Sequence, residues 1–235
     1  MKRNRIPMLR LIPVVLLLAG ALAAEKPILE RIEWSDIWVT NANRDDLPRV
    51  LLVGDSITRQ YFKTVEQELA GKANCARYAT SKFLADPHYL PELELLLRSY
   101  RFDVIHINNG LHGFGYSEAQ YEAGFAPLLA LLKRAAPQAR LIWATTTPVR
   151  RKGDLTHFND ERTDRVKERN RIAVAFAEQH GIAVDDLYAV VEDHPEYYQS
   201  GGTHFKKPGV AALGQHVAAV IQSSRQPKKQ ALLPQ

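Results

Sequence analysis

Short apolar runs alternate along this chain with longer amphipathic stretches. Residues 50–53, four apolar side chains between Pro48 and Gly54, read as a buried strand, and Tyr61, Val65, Glu68 and Leu69 follow at helical spacing. The same alternation predicts strands over 74–79, 103–107, 140–144 and 182–184. It predicts helices over 90–97, 117–136, 160–180 and 208–221. Ser117 is placed as the N-cap of its helix and Pro137 closes it, while Gly181 ends the next. Strands interleaved with helices argue for a single α/β domain, a three-layer α/β/α sandwich around a mostly parallel sheet.

Sites in such sheets lie outside the carboxyl ends of the strands. Ser56 follows the first strand at the amino end of a helix, where unpaired backbone N–H groups and the helix dipole favour negative charge. Residues 109–115 follow the third strand, 145–148 follow the fourth, and His204 precedes the last helix. A serine hydroxyl needs a base within hydrogen-bond reach, and His204 is the candidate.

Gly54-Asp55-Ser56-Ile57 near one end and Gly202-Thr203-His204-Phe205 near the other form a pair of motifs that resembles the SGNH (GDSL-type) hydrolases. Trp34 and Trp38, Asp103 to His112, and Thr145-Thr146-Thr147-Pro148 extend the likeness toward secreted bacterial esterases. The resemblance implies a flavodoxin-like sheet, a Ser56 nucleophile and a His204 base. It also implies an oxyanion hole supplied by the Ser56 N–H together with Ser81, Asn109 or His112. Asp55, Arg59 and Thr147 are placed at the substrate side of the site, with Asp55 also accepting N–H bonds of the turn.

The chain departs from the family pattern at several supporting positions. Gly201 stands where the family has an Asp three residues before the histidine, which leaves a Ser-His dyad or a carboxylate from elsewhere, such as Asp193. The stretch after the second strand has no glycine, so Ser81 or Thr80 would supply its N–H. After the third strand, His112 takes the place of an asparagine, with Asn108 and Asn109 as alternative amides or as plain turn formers beside Gly110.

Composition narrows the partners. Met1-Lys2-Arg3-Asn4-Arg5, an apolar run over 11–18 and Ala21-Leu22-Ala23 read as a secretory signal peptide over 1–23, followed by an esterase domain over 24–225 and a tail over 226–235. The protein is therefore expected to be exported, to the periplasm or beyond, with no membrane anchor after cleavage. Loss of Lys2, Arg3, Arg5 and Arg10 lowers the formal net charge from +5 to +1, so the basic balance belongs to the leader and not to a nucleic-acid surface. The single cysteine, Cys75, excludes an internal disulfide and is placed as a buried strand residue. No metal-ligand or nucleotide-binding spacing is present, so no cofactor or metal is expected.

The expected activity is hydrolysis of small O-acyl esters, acetyl esters of carbohydrate above all, through an acyl-enzyme. Two alternatives stand beside it: a lipid or thioester hydrolase of the same fold, and a carbohydrate-binding protein with weak catalysis. Arg150, Arg151 and Lys152 are either an acid-recognising loop or a solvated one, and Trp34 with Trp38 either a sugar platform or a flap on the sheet edge.

Overall fold

A computed structural model describes residues 26–225. The expected signal peptide over 1–23 and the tail over 226–235 lie outside the described residues. Six strands form one sheet in the order β1-β3-β2-β4-β5-β8. Its parallel part comprises β3 (Asn74–Thr80), β2 (Arg49–Gly54), β4 (Val104–Ile107), β5 (Arg140–Ala144) and β8 (Ala183–Asp185). The chain has the α/β architecture expected from its alternation, with the flavodoxin-like strand order.

The period-two side-chain alternation of a strand explains the two cores. Leu51 and Val53 face one way with Tyr78, Ile105 and Ile107, against α2 (Tyr89–Ser99), α3 (Glu118–Ala135) and α4 (Asp160–Gln179). Val50, Leu52, Cys75 and Ile142 face the other, against α1 (Ser56–Glu68), α5 (Leu187–Val191) and α6 (Lys207–Arg225). Burial, with Glu66 nearby, pushes the Cys75 thiol up to about 12, as suits a packed apolar residue rather than a reactive one. Ser117 caps α3 with its side chain, and Gln120 closes the capping box.

Four elements differ from the pattern-based expectation. β1 (Ser35–Val39) is an antiparallel edge strand on β3, and it carries Trp38, which is 58% exposed. β6 (Arg150–Arg151) and β7 (Asp154–Phe158) form a hairpin where a loop, acid-recognising or solvated, was expected. α5 fills the segment between β8 and the histidine loop. The strand expected over 182–184 is offset by one residue. Among the described residues no helix is long and apolar enough to cross a membrane.

Candidate active site

The order of the parallel strands reverses between β2 and β4, and the crevice at such a switch point is where ligands bind in open α/β sheets. Ser56 leaves β2 there as the first residue of α1. Asp55 caps that helix: its buried carboxylate accepts the Ile57 N–H at 2.8 Å. That cap fixes the turn and leaves the Ser56 N–H among the unpaired donors of the first turn.

His204 reaches Ser56 from the opposite end of the chain, with Nε2 2.8 Å from the Ser56 Oγ. Its loop is anchored on both sides. Gln60, one turn along α1 from Ser56, accepts the Phe205 N–H at 3.2 Å and donates to the Phe205 carbonyl at 3.3 Å. Gly202, at φ +77°, lies so near the hairpin that a Cβ there would meet the Arg150 carbonyl oxygen at 2.1 Å. The Arg150 N–H donates to the Gly202 carbonyl at 2.7 Å, which ties hairpin to loop. Among the described residues no carboxylate forms a hydrogen bond or ion pair with the second ring nitrogen of His204, Asp193 included.

Ser56 and His204 open onto a cleft of about 510 Å³, shared with His112, Thr203, Gly201, Arg31 and Arg162. Leu111 and Phe114 are its large apolar walls. His112 occupies this cleft with its Nδ1 2.9 Å from the Glu30 Oε2. Burial disfavours charge on the ring, but the Glu30 hydrogen bond and the nearby Asp55, Glu30 and Glu33 carboxylates outweigh it and raise the His112 pKa.

The other residues singled out in the sequence take different positions. The Ser81 N–H donates to the Trp34 carbonyl at 3.1 Å, and its hydroxyl bonds Glu33 and the Trp34 backbone. Its donors are thus spent on holding the segment that precedes β1. The Asn109 carboxamide is likewise committed: it accepts from the Leu84 N–H and donates to the Lys82 carbonyl, both at 3.1 Å. Asn108 donates to the Ala144 carbonyl at 2.9 Å. The two asparagines pin neighbouring loops, because buried amides take the backbone partners nearest to hand.

Thr147 is buried and faces not the cleft but a small internal void of about 10 Å³ that it lines with Asp55, Thr58, Asn108 and Leu187. The segment turns inward because Thr146 is clamped to Asn170 of α4 through two hydrogen bonds. Arg59 lies over the Trp34 ring at 4.8 Å, and the edge of that ring meets His112, so Arg59 reaches the site only through Trp34. Arg150 is buried under Phe158 and Tyr198, and Arg151 pairs with Asp160 at 2.6 Å, which removes both from substrate recognition.

Two groups escaped the sequence reading. Glu30 lies 82 positions from His112, and no local pattern announces their pairing. Arg169, fully buried, donates to the Gly110, His112 and Gly113 carbonyls and lies 4.4 Å from the Phe83 ring centroid. Its signal was present: Arg169 falls on the same helical stripe as Val166, Ile172 and Ala173, where a cation needs a buried purpose. Among the described residues no group of three or more His, Cys, Asp or Glu is placed to hold a metal.

No family profile and no curated protein matches the sequence. Solved structures match the fold. An aryl esterase from M. smegmatis superimposes with a TM-score of 0.61 at 15% identity, covering 75% of this chain and 99% of its own. A carbohydrate acetylesterase from Sinorhizobium meliloti gives 0.60 at 14% identity, with 75% and 99% covered. A GDSL-like lipase from Bacteroides thetaiotaomicron gives 0.54 at 16% identity, covering 75% of this chain and 88% of its own. The chain thus has the fold of the SGNH-type hydrolases.

Proposed function

We propose that this chain is a serine esterase that removes small acyl groups, acetyl above all, from hydrophilic alcohols such as sugars. The observation that carries the reading is the 2.8 Å approach of His204 Nε2 to the Ser56 Oγ at the mouth of an open cleft. In this reading Ser56 attacks the ester carbonyl while His204 takes its proton and then returns it to the departing alcohol. Water, deprotonated by the same ring, next releases the acid from Ser56. The Ser56 N–H is one donor to the oxyanion. No cofactor is required.

The charged and polar residues of the cleft, Glu30, Arg31, Arg162 and Thr203, favour a hydrophilic substrate, whereas a long acyl chain would need a more extended apolar groove than Leu111 and Phe114 offer. Arg31 and Arg162 line the cleft, and among the described residues neither forms a salt bridge. A substrate bearing a carboxylate close to its ester, as an acetylated uronate polymer does, would meet both cations. The carbohydrate acetylesterase and the aryl esterase of the same fold are consistent with such chemistry. The leader-like pattern over 1–23 supports action outside the cytoplasm.

The test is acetate release from p-nitrophenyl acetate and from an acetylated xylan, comparing the protein with Ser56→Ala. Turnover that vanishes in the variant supports the esterase. Turnover no greater than the variant's would instead favour a binding protein, with the missing partner of His204 as its physical cause.

A further inference from the structure

His112 cannot serve an oxyanion in the way an amide does, because an imidazole has two protonation states. Glu30 decides which edge of the ring is already spent. Its Oε1 accepts the Gly113 N–H at 2.8 Å and its Oε2 lies 2.9 Å from the His112 Nδ1. A carboxylate that receives an N–H on each oxygen is ionised and accepts only, so Nδ1 of His112 carries a proton. With one proton on the ring, Nε2 would present a lone pair to the cleft and repel a developing oxyanion. With two, Nε2–H is a charged donor.

Resting on the esterase reading, we propose that His112 is a second catalytic histidine, held as an imidazolium by Glu30 so that its Nε2–H receives the oxyanion formed when Ser56 attacks. Glu30 is the positioning residue. The site is built to hold this edge in place. Gly113 is in a left-handed conformation at φ +67°, and a Cβ there would strike Phe83. That geometry turns its N–H toward Glu30, next to the histidine. Arg169 clamps the His112 and Gly113 carbonyls from α4, and the Trp34 ring meets the imidazole edge-on with centroids 6.3 Å apart. Nε2 has no hydrogen-bond partner among the described residues, and the ring lines the same cleft as Ser56 and His204.

The charged groups around the ring decide its state. Glu30 and Glu33 from the segment before β1 and Asp55 from the β2–α1 turn favour the cation. Arg162 and Arg169 from α4 and Arg31 at the cleft oppose it. Burial works against charge on the ring, yet the Glu30 hydrogen bond and the neighbouring carboxylates raise the His112 pKa above its ordinary value, and the same hydrogen bond, with that from the Gly113 N–H, lowers that of Glu30 despite its own burial. In acylation the Ser56 Oγ–carbonyl bond forms, the carbonyl π pair moves onto oxygen and the hydroxyl proton passes to His204; the oxyanion pair then returns, the ester C–O bond breaks, and His204 gives that proton to the departing alcohol. His112 keeps both protons throughout. The two histidines thus have opposite requirements, one neutral and one charged, which is the environmental separation of acid and base roles found in many enzymes.

The experiment joins two readouts. Ring-nitrogen NMR on Ser56→Ala reports the state of His112 without turnover: both nitrogens protonated at pH 7 are expected, with the charge lost at lower pH in Glu30→Gln. The pH dependence of kcat/KM for p-nitrophenyl acetate should fall on the alkaline side as His112 loses its proton, and Glu30→Gln should bring that fall to lower pH. His112→Asn, whose amide donates at any pH, should retain turnover and abolish the alkaline fall. His112→Ala should lose about 10²-fold in kcat. A neutral His112 at pH 7, or an alkaline limb unchanged in His112→Asn, would overturn this inference while Ser56-dependent turnover kept the esterase reading. Absence of any Ser56-dependent turnover would overturn that reading and the catalytic role of His112 together.

Discussion

Ser56 Oγ and His204 Nε2 lie 2.8 Å apart although 148 positions separate them in the chain. The fold makes this contact cheap, because the turn after β2 and the loop before α6 both emerge at the carboxyl edge of the sheet, and α1 packs on α6 through a close approach at Gly214. Gln60 bonds both backbone polar groups of Phe205, so the helix that carries the nucleophile also holds the strand of chain that carries the base.

The adjacent glycines before His204 should respond in opposite ways. A Cβ at Gly201 meets nothing within 4 Å, so Gly201→Asp can be accommodated and would place a carboxylate three residues before the base. We expect kcat/KM for p-nitrophenyl acetate to rise about tenfold or more as the ring gains an orienting partner. Gly202→Ala, by contrast, combines a positive φ with a clash against the Arg150 backbone and should cost about 3 kcal/mol in urea unfolding.

Arg169→Met should destabilise the fold by about 3 to 5 kcal/mol, measured by denaturant midpoint, because it removes the buried side-chain donor from the Gly110 and His112 carbonyls and leaves Gly113 with the Tyr116 N–H and Glu118 with Arg165 alone. At temperatures where the variant stays folded, its kcat should still be reduced, since the His112 loop has lost its clamp.

The Glu30–His112 pair should also mark the pH dependence of stability. His112, with a raised folded pKa, contributes fully below its unfolded value near 6.5 and loses that contribution as pH rises through the folded one. Glu30, with a lowered folded pKa, contributes above its unfolded value near 4.5 and loses it as pH falls through the folded one. The difference in stability between the protein and Glu30→Gln should therefore be greatest between about pH 4.5 and 6.5. At about 1 kcal/mol for so accessible a pair, it should shrink on either side, as thermal unfolding across pH will report.

Neutralising both cleft arginines, Arg31→Ala with Arg162→Ala, should raise KM for a carboxylate-bearing acetyl ester about tenfold and leave p-nitrophenyl acetate hydrolysis nearly unchanged. Equal effects on both esters would place these cations outside substrate recognition.

Periodicity made the parallel sheet and its main helices legible. Strand segments such as 50–53 and 104–107 are buried on both faces, and the amphipathic stripes of α1, α3 and α6 meet them. β1 was not legible as a strand, because an edge strand with Ile37 and Trp38 exposed lacks a clean alternation. The Arg150 hairpin was hidden for the opposite reason: its polar sequence reads as an irregular loop, yet Arg150 is buried beside the Phe158 and Tyr198 rings. At the site, Ser56 and His204 stand in motifs that sequence alone displays. Glu30, by contrast, acquires meaning only when the segment before β1 folds across the 110–115 loop.

The most direct test of the account is covalent capture of the nucleophile. A fluorophosphonate should add once, and mass spectrometry should place the adduct on Ser56, with labelling lost in Ser56→Ala and slowed at least a hundredfold in His204→Ala. Absence of an adduct under conditions that label a known serine esterase, or labelling of Ser56 at an unchanged rate without His204, would contradict it.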